Sequence, residues 1–86
     1  MIEVNHYYAG IINNVTVILQ ITAISSLDVA LNIHSIVVYH PTIKQCTPPL
    51  NYSFHSNSVM AKELIHLGPM TNSIEYYLTN YPELFI

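Results

Sequence analysis

A chain of 86 residues, 51% apolar and only 8% charged, has room for one small domain but lacks the roughly 25% of charged residues usual in soluble domains. Its net charge is −3 and its only cations are Lys44 and Lys62, so no basic patch exists to recruit nucleic acid or an anionic membrane surface. Its single cysteine, Cys46, excludes a disulfide within the chain.

From the start of the chain, Met1 to Tyr8 carries no cation, and Asn13, Asn14 and Gln20 interrupt the apolar stretch behind it. It does not read as a signal peptide. Val15–Ile24 (VTVILQITAI) is dense in β-branched residues, whose crowding at χ1 disfavours a helix and suits a pleated strand. Val15, Val17, Leu19, Ile21 and Ala23 share one apolar face. Thr16, Gln20 and Thr22 share the other, together with Ile18 and Ile24. Ser25-Ser26 breaks the run, and Leu27–His34 alternates again. Leu27, Val29, Leu31 and Ile33 stand opposite Asp28, Ala30, Asn32 and His34. Two alternating runs around a short break predict a hairpin over Val15–Tyr39. On this reading Ile18 belongs to the mixed face, where a lysine is tolerated.

Pro41, Pro48 and Pro49 predict a loop or an edge strand, followed by a short strand at Asn51–His55. In Ser58–Leu67 the local signals favour a helix. Ser58 is a cap, Lys62-Glu63-Leu64 are helix formers and Gly68-Pro69 is a stop, although Ala61, Glu63, Ile65 and Leu67 also alternate. Ser73–Tyr81, rich in Tyr, Thr and Ile, predicts a last strand stopped by Pro82. The fold expected for residues 1–86 is all-β with at most one short helix near residues 58–67. It is a single small domain or a fragment of a larger β-sandwich domain, with its hairpin at residues 15–39.

No catalytic, cofactor-binding or metal-binding residue is assigned from the sequence, and no cofactor is expected. The five histidines, His6, His34, His40, His55 and His66, include no pair at i, i+4 on one helix and none with H-x-H spacing. Zinc needs three or four convergent ligands. His34, His40, Cys46 and His55 converge only if the fold brings them together, and histidines on the surface or a strand face are the simpler reading. Gly10 and Gly68, the only glycines, build neither a nucleophile elbow nor a phosphate-cradling loop. Asn14-Val15-Thr16 and Asn51-Tyr52-Ser53 fit the glycosylation sequon, as chance allows in a chain this rich in Asn, Ser and Thr.

The charge deficit has three readings: a membrane segment, a fragment covered by the rest of a larger protein, or a reading frame never selected to fold. The best window for a membrane span, Ala9–Leu27, is broken by two Asn, one Gln, two Thr and two Ser, which disfavours a span. The partner expected is therefore the remainder of a larger polypeptide or a second copy of the chain. Val15–Ile24, without charge or proline, has the composition of an aggregation-prone strand.

The order of elements resembles the N-terminal β-domain of zinc aminopeptidases of the aminopeptidase N type. Tyr8-Ala9-Gly10 corresponds to an aromatic-x-Gly approach and Val15–Gln20 to the strand after it. Val29-Ala30-Leu31-Asn32 with Ile36-Val37-Val38 resembles the next strand. Glu63–Gly68 and Tyr76–Leu84 resemble the closing strands. The family's H-E-x-x-H motif and its G-A-M-E-N-like motif are absent, so no functional residue carries over. The resemblance implies a non-catalytic packing module of an extracellular or membrane-tethered parent protein. The alternative is a small polypeptide, membrane-associated or otherwise, with no biochemical activity of its own.

Overall fold

The β-branched run forms strand β2 (Val15–Leu27), which pairs antiparallel with β3 (Ala30–His40), as the double alternation predicts. The structure is a computed structural model that describes residues 2–27 and 29–85, residue 27 by its backbone alone. The strands meet at the Leu27↔Ala30 pair, so Ser25 and Ser26 lie inside β2, opposite Asn32 and Leu31, and do not make the break expected of them. Ser25 Oγ instead meets His34 Nε2 across the strands at 3.2 Å. Val29, expected on the apolar face, is 96% exposed beside the turn. The placements expected of the Asp28 and Leu27 side chains lie outside the described residues.

A β-bulge corrects the expected faces of β2. Ile21 pairs with Ser35 and Ala23 with His34, so two steps on β2 match one on β3. An extra residue inverts the alternation beyond it. Ile24 therefore joins the side of Val17, Leu19 and Ile21, and Ala23, expected among them, is exposed.

Three further strands complete one antiparallel sheet in the order β4-β3-β2-β1-β5, with β1 at His6–Ile12, β4 at Lys44–His55 and β5 at Ile65–Pro69. β1 and β2 are joined by Asn13-Asn14, both in the left-handed region at φ 51° and 65°. A two-residue hairpin turn of type I′ needs positive φ at both central residues, and Asn supplies it at low cost. β4 begins at Lys44, earlier than the strand expected at Asn51–His55. Its register slips between Val37↔Leu50 and Tyr39↔Gln45, so Pro48 and Pro49 fall in the irregular stretch of an edge strand, where no ladder bond is asked of them.

Both faces of the sheet are apolar, and helical segments cover them in place of a second sheet. On one face Tyr8, Val17, Leu19, Ile21, Ile33, Val37, Cys46 and Phe54 form a core against which Met60, Ala61 and Leu64 pack, in and beside helix α1 (Val59–Lys62). On the other, Tyr7, Ala9, Ile18, Val38, Tyr39 and Leu67 pack against Tyr77 of helix α2 (Ile74–Asn80), with a 3₁₀ turn at Pro82–Leu84 beside it. No helix among the described residues is long and apolar enough to cross a membrane.

The chain after Ser58 departs furthest from expectation. Ser58 does cap a helix, accepting from the Ala61 N–H at 3.2 Å, but α1 lasts one turn. The alternating residues after it become β5, with Gly68-Pro69 inside the strand. Ser73–Tyr81, expected to be a strand, is helical. Ser73 Oγ accepts from the Tyr76 N–H at 3.1 Å, Glu75 sits in the first turn, and Tyr77 is buried on the sheet. A serine cap and one deeply buried aromatic outweigh the strand preference of Tyr, Thr and Ile, which depends on context.

Candidate functional site

The titratable side chains that converge are Glu3, His6 and His66, at the end of the sheet where β1 meets the edge strand β5. Their ligating atoms all lie within 4.8 Å of one another. The register accounts for this. Tyr8 pairs with His66, and His6 lies two residues before Tyr8, so all three point to one side of the sheet. A bulge on β5 turns Leu67 to the opposite core, which leaves His66 facing His6 diagonally. The rings of His6 and His66 stack at 5.0 Å with 25° between their planes, and Tyr8 lies 4.8 Å from His66.

Glu3 reaches the pair through a turn at Val4-Asn5. Asn5 takes φ 64°, a conformation that Asn tolerates. Its N–H donates to the Ile21 carbonyl at 2.8 Å, and its own carbonyl accepts from the Met70 N–H at 3.0 Å, so the turn is tied to β2 and to the end of β5. The Glu3 N–H donates to the Tyr8 hydroxyl at 2.9 Å. Within the cluster, His6 Nδ1 and His66 Nε2 are 2.7 Å apart, within hydrogen-bond distance. Glu3 Oε1 stands 3.8 Å from His6 Nε2 and Oε2 stands 4.0 Å from His66 Nε2. The cluster is open to solvent: His6 is half-buried, and Glu3 and His66 are exposed.

The other histidines do not join it, and the set His34, His40, Cys46 and His55 does not converge among the described residues. His34 bonds to Ser25, Asn32 and Ser53, and His40 Nδ1 accepts from the Thr42 N–H. Cys46 is buried in the core, its thiol directed at the Lys44 carbonyl at 3.9 Å. Sequence reasoning missed the Glu3–His6–His66 set because 60 positions separate the histidines. The one local hint was the Asn13-Asn14 turn, which identifies β1 as a strand and His6 and Tyr8 as neighbours on one face.

Beside the cluster, burial raises the phenol of Tyr8 above its ordinary value. The nearby Glu3 carboxylate acts in the same direction, and the hydrogen bond from the Glu3 N–H acts against it. Tyr7 is raised too, first by burial and then by Tyr77 and Glu75. A raised phenol means that the folded state holds its proton more tightly than the unfolded chain does. The linked stability is fully present below the unfolded value of 10.0 and is lost as pH rises through the folded value. The melting temperature is therefore expected to fall as pH rises above 10.0, beyond ordinary alkaline loss. In Tyr7→Phe that fall should be shallower; an unchanged slope would refute the assignment.

Two other surfaces stand out. A cleft of about 380 Å³ between β5 and α2 is lined by Asn72, Tyr76, Tyr77, Asn80 and Tyr81, but their polar groups are largely engaged in holding the helix to the strand. Tyr77 donates to the Pro69 carbonyl at 2.6 Å, Asn72 donates to the Tyr77 hydroxyl at 3.3 Å, and Asn80 donates to the Tyr76 carbonyl at 2.7 Å. On the face under α1, two apolar grooves remain open. One, of about 270 Å³, is lined by Ile12, Val15, Val17, Val37, Ile43 and Leu50. The other, of about 310 Å³, is lined by Ile2, Ile24, Leu31, Ile33 and Ala61.

Comparison of the chain with protein-family models, with curated proteins and with solved structures found no match.

Proposed function

We propose that the chain is a non-catalytic packing module, a sheet that contributes one layer to a larger protein assembly. The observation that carries this reading is the incomplete cover on the α1 face. An apolar sheet face has to be buried against a second layer. α1 is a single turn of four residues, set against strands of 11 to 13 residues. Grooves stay open on this face, and Ile43 and Leu50 remain 60% and 58% exposed beside core residues Val17 and Val37. The scarcity of charge fits a surface that further polypeptide covers. A relation to the N-terminal β-domain of aminopeptidase N-type enzymes is part of this proposal and rests on the sequence segments Tyr8–Gly10, Val15–Gln20, Val29–Asn32 with Ile36–Val38, and Glu63–Gly68. Tyr76–Leu84 contributes no strand to that likeness, because it folds as α2 and the 3₁₀ turn. An adjoining coding sequence with H-E-x-x-H would support the aminopeptidase relation.

The direct test is association of the isolated chain. With a chelator present, sedimentation should show concentration-dependent self-association at micromolar levels, because a second copy is then the only apolar surface on offer. Ile43→Lys with Leu50→Lys should move the chain to monomer without altering its far-UV circular dichroism, since both side chains already face solvent. A wild-type chain that stays a compact monomer at high micromolar concentration would overturn the packing proposal.

A further inference from the structure

We infer that Glu3, His6 and His66 form a binding site for a divalent transition-metal ion of the zinc type, which staples the edge strand β5 to β1 and to the N-terminal turn. The argument begins with distance. A tetrahedral ion with bonds of about 2.0–2.1 Å holds its ligand atoms about 3.3 Å apart. His6 Nδ1 and His66 Nε2 are 2.7 Å apart, and Glu3 Oε2 stands 4.0 Å from the same His66 nitrogen. These separations bracket the required one, and one ligand atom from each of the three side chains lies within 4.8 Å of the others. The two imidazole nitrogens must spread by about half an ångström, which small side-chain rotations on an open surface allow.

The donor set selects the ion class. Two imidazoles and one carboxylate suit zinc and its neighbours, whereas calcium and magnesium prefer oxygen alone. The proton accounting also closes. The hydrogen on the His6–His66 bond shifts to the other nitrogen of its own ring, leaving His6 Nδ1 and His66 Nε2 free to donate their lone pairs. Neither neutral ring loses a proton. Glu3 as carboxylate offsets one of the ion's two charges, and water completes the coordination, as in zinc sites with three protein ligands.

The surroundings hold these ligands in place. Tyr8 lies against His66, and its hydroxyl accepts from the Glu3 N–H, fixing the backbone that carries the carboxylate. Asn5 is tied on both sides, to Ile21 and to Met70. An ion here would join two strands and a turn that are separate in sequence, at the shortest strand of the sheet.

The experiment is calorimetric titration of Zn²⁺ into the full chain, with Co²⁺ absorption as the measure of geometry. One ion per chain is expected, with a tetrahedral or five-coordinate Co²⁺ spectrum and a raised melting temperature. His66→Ala and His6→Ala should each weaken binding by about 10–100-fold or more, the range already seen when a ligand's supporting group is lost. Cys46→Ser and His55→Ala should leave it unchanged. His66 is exposed, so His66→Ala is expected to fold; His66→Gln provides a second variant closer in size, and far-UV circular dichroism checks both. No saturable uptake by the folded wild type would overturn the site. So would uptake that survives His6→Ala with His66→Ala, or one ion shared between two chains.

Discussion

Tyr77→Ala is expected to destabilise the fold by about 3–5 kcal/mol, the range for removing a large buried aromatic. Tyr77 is 2% exposed and is the largest fully buried side chain. It packs edge-on to Tyr7 at 5.7 Å, and its hydroxyl donates to the Pro69 carbonyl at 2.6 Å. A small domain has about 5–15 kcal/mol in all, so the variant should unfold at a much lower urea concentration or fail to fold. Tyr77→Phe keeps the ring and loses only the hydroxyl's bonds to Pro69 and Asn72, at a cost of about 1 kcal/mol. Gly68→Ala attacks the same contact from the other side. Gly68 has φ +154°, and a Cβ there would collide with the Tyr77 hydroxyl and stand 3.0 Å from two ring carbons. Overpacking of this kind costs about 1–3 kcal/mol, to which the strained φ adds. Gly10→Ala is the control. The nearest atom to its Cβ is the flexible tip of Met60, so its loss should be smaller. Urea midpoints at constant slope would measure all four. Equal midpoints for wild type and Tyr77→Ala would mean that α2 does not dock on the sheet as described.

Ile18→Lys should be more damaging still. Ile18 is fully buried in the core beneath α2, next to Ala9, Val38 and Tyr39. An unpaired charge placed there costs several kcal/mol even after the protein relaxes, so the folded state should be lost. Ile43→Lys, a similar change at a side chain 60% exposed, should leave the circular dichroism and melting temperature nearly unchanged. A folded, monomeric Ile18→Lys chain would show that the second face of β2 is open to solvent. The alternation of β2 alone assigns Ile18 to a mixed face that accepts lysine. The structure corrects this, because α2 covers that face.

What could be read from residue order alone was local in its physics. The β-branched density of Val15–Ile24 and the alternation through His34 specify antiparallel strands, because side-chain crowding and a two-residue period act within a single segment. The proline pair 48–49 marks an edge strand for an equally local reason, a missing N–H donor. Ser58 and Ser73 carry their caps in the same way, although at Ser73 the strand preference of the residues behind it hides the cap. The rest depended on distant partners. The bulge at Ile21–Ala23 exchanges the faces of Ile24 and Ala23, and no pattern within β2 announces it. α2 is helical because Tyr77 finds the Pro69 carbonyl and the ring of Tyr7, contacts that exist only once β5 lies beside β1. The candidate metal ligands arise from the same pairing, which sets His66 diagonally across from His6 and beneath Glu3. Spacing along the chain encodes a ligand set only when one element carries it; here two strands and a turn do, and their register brings the ligands together.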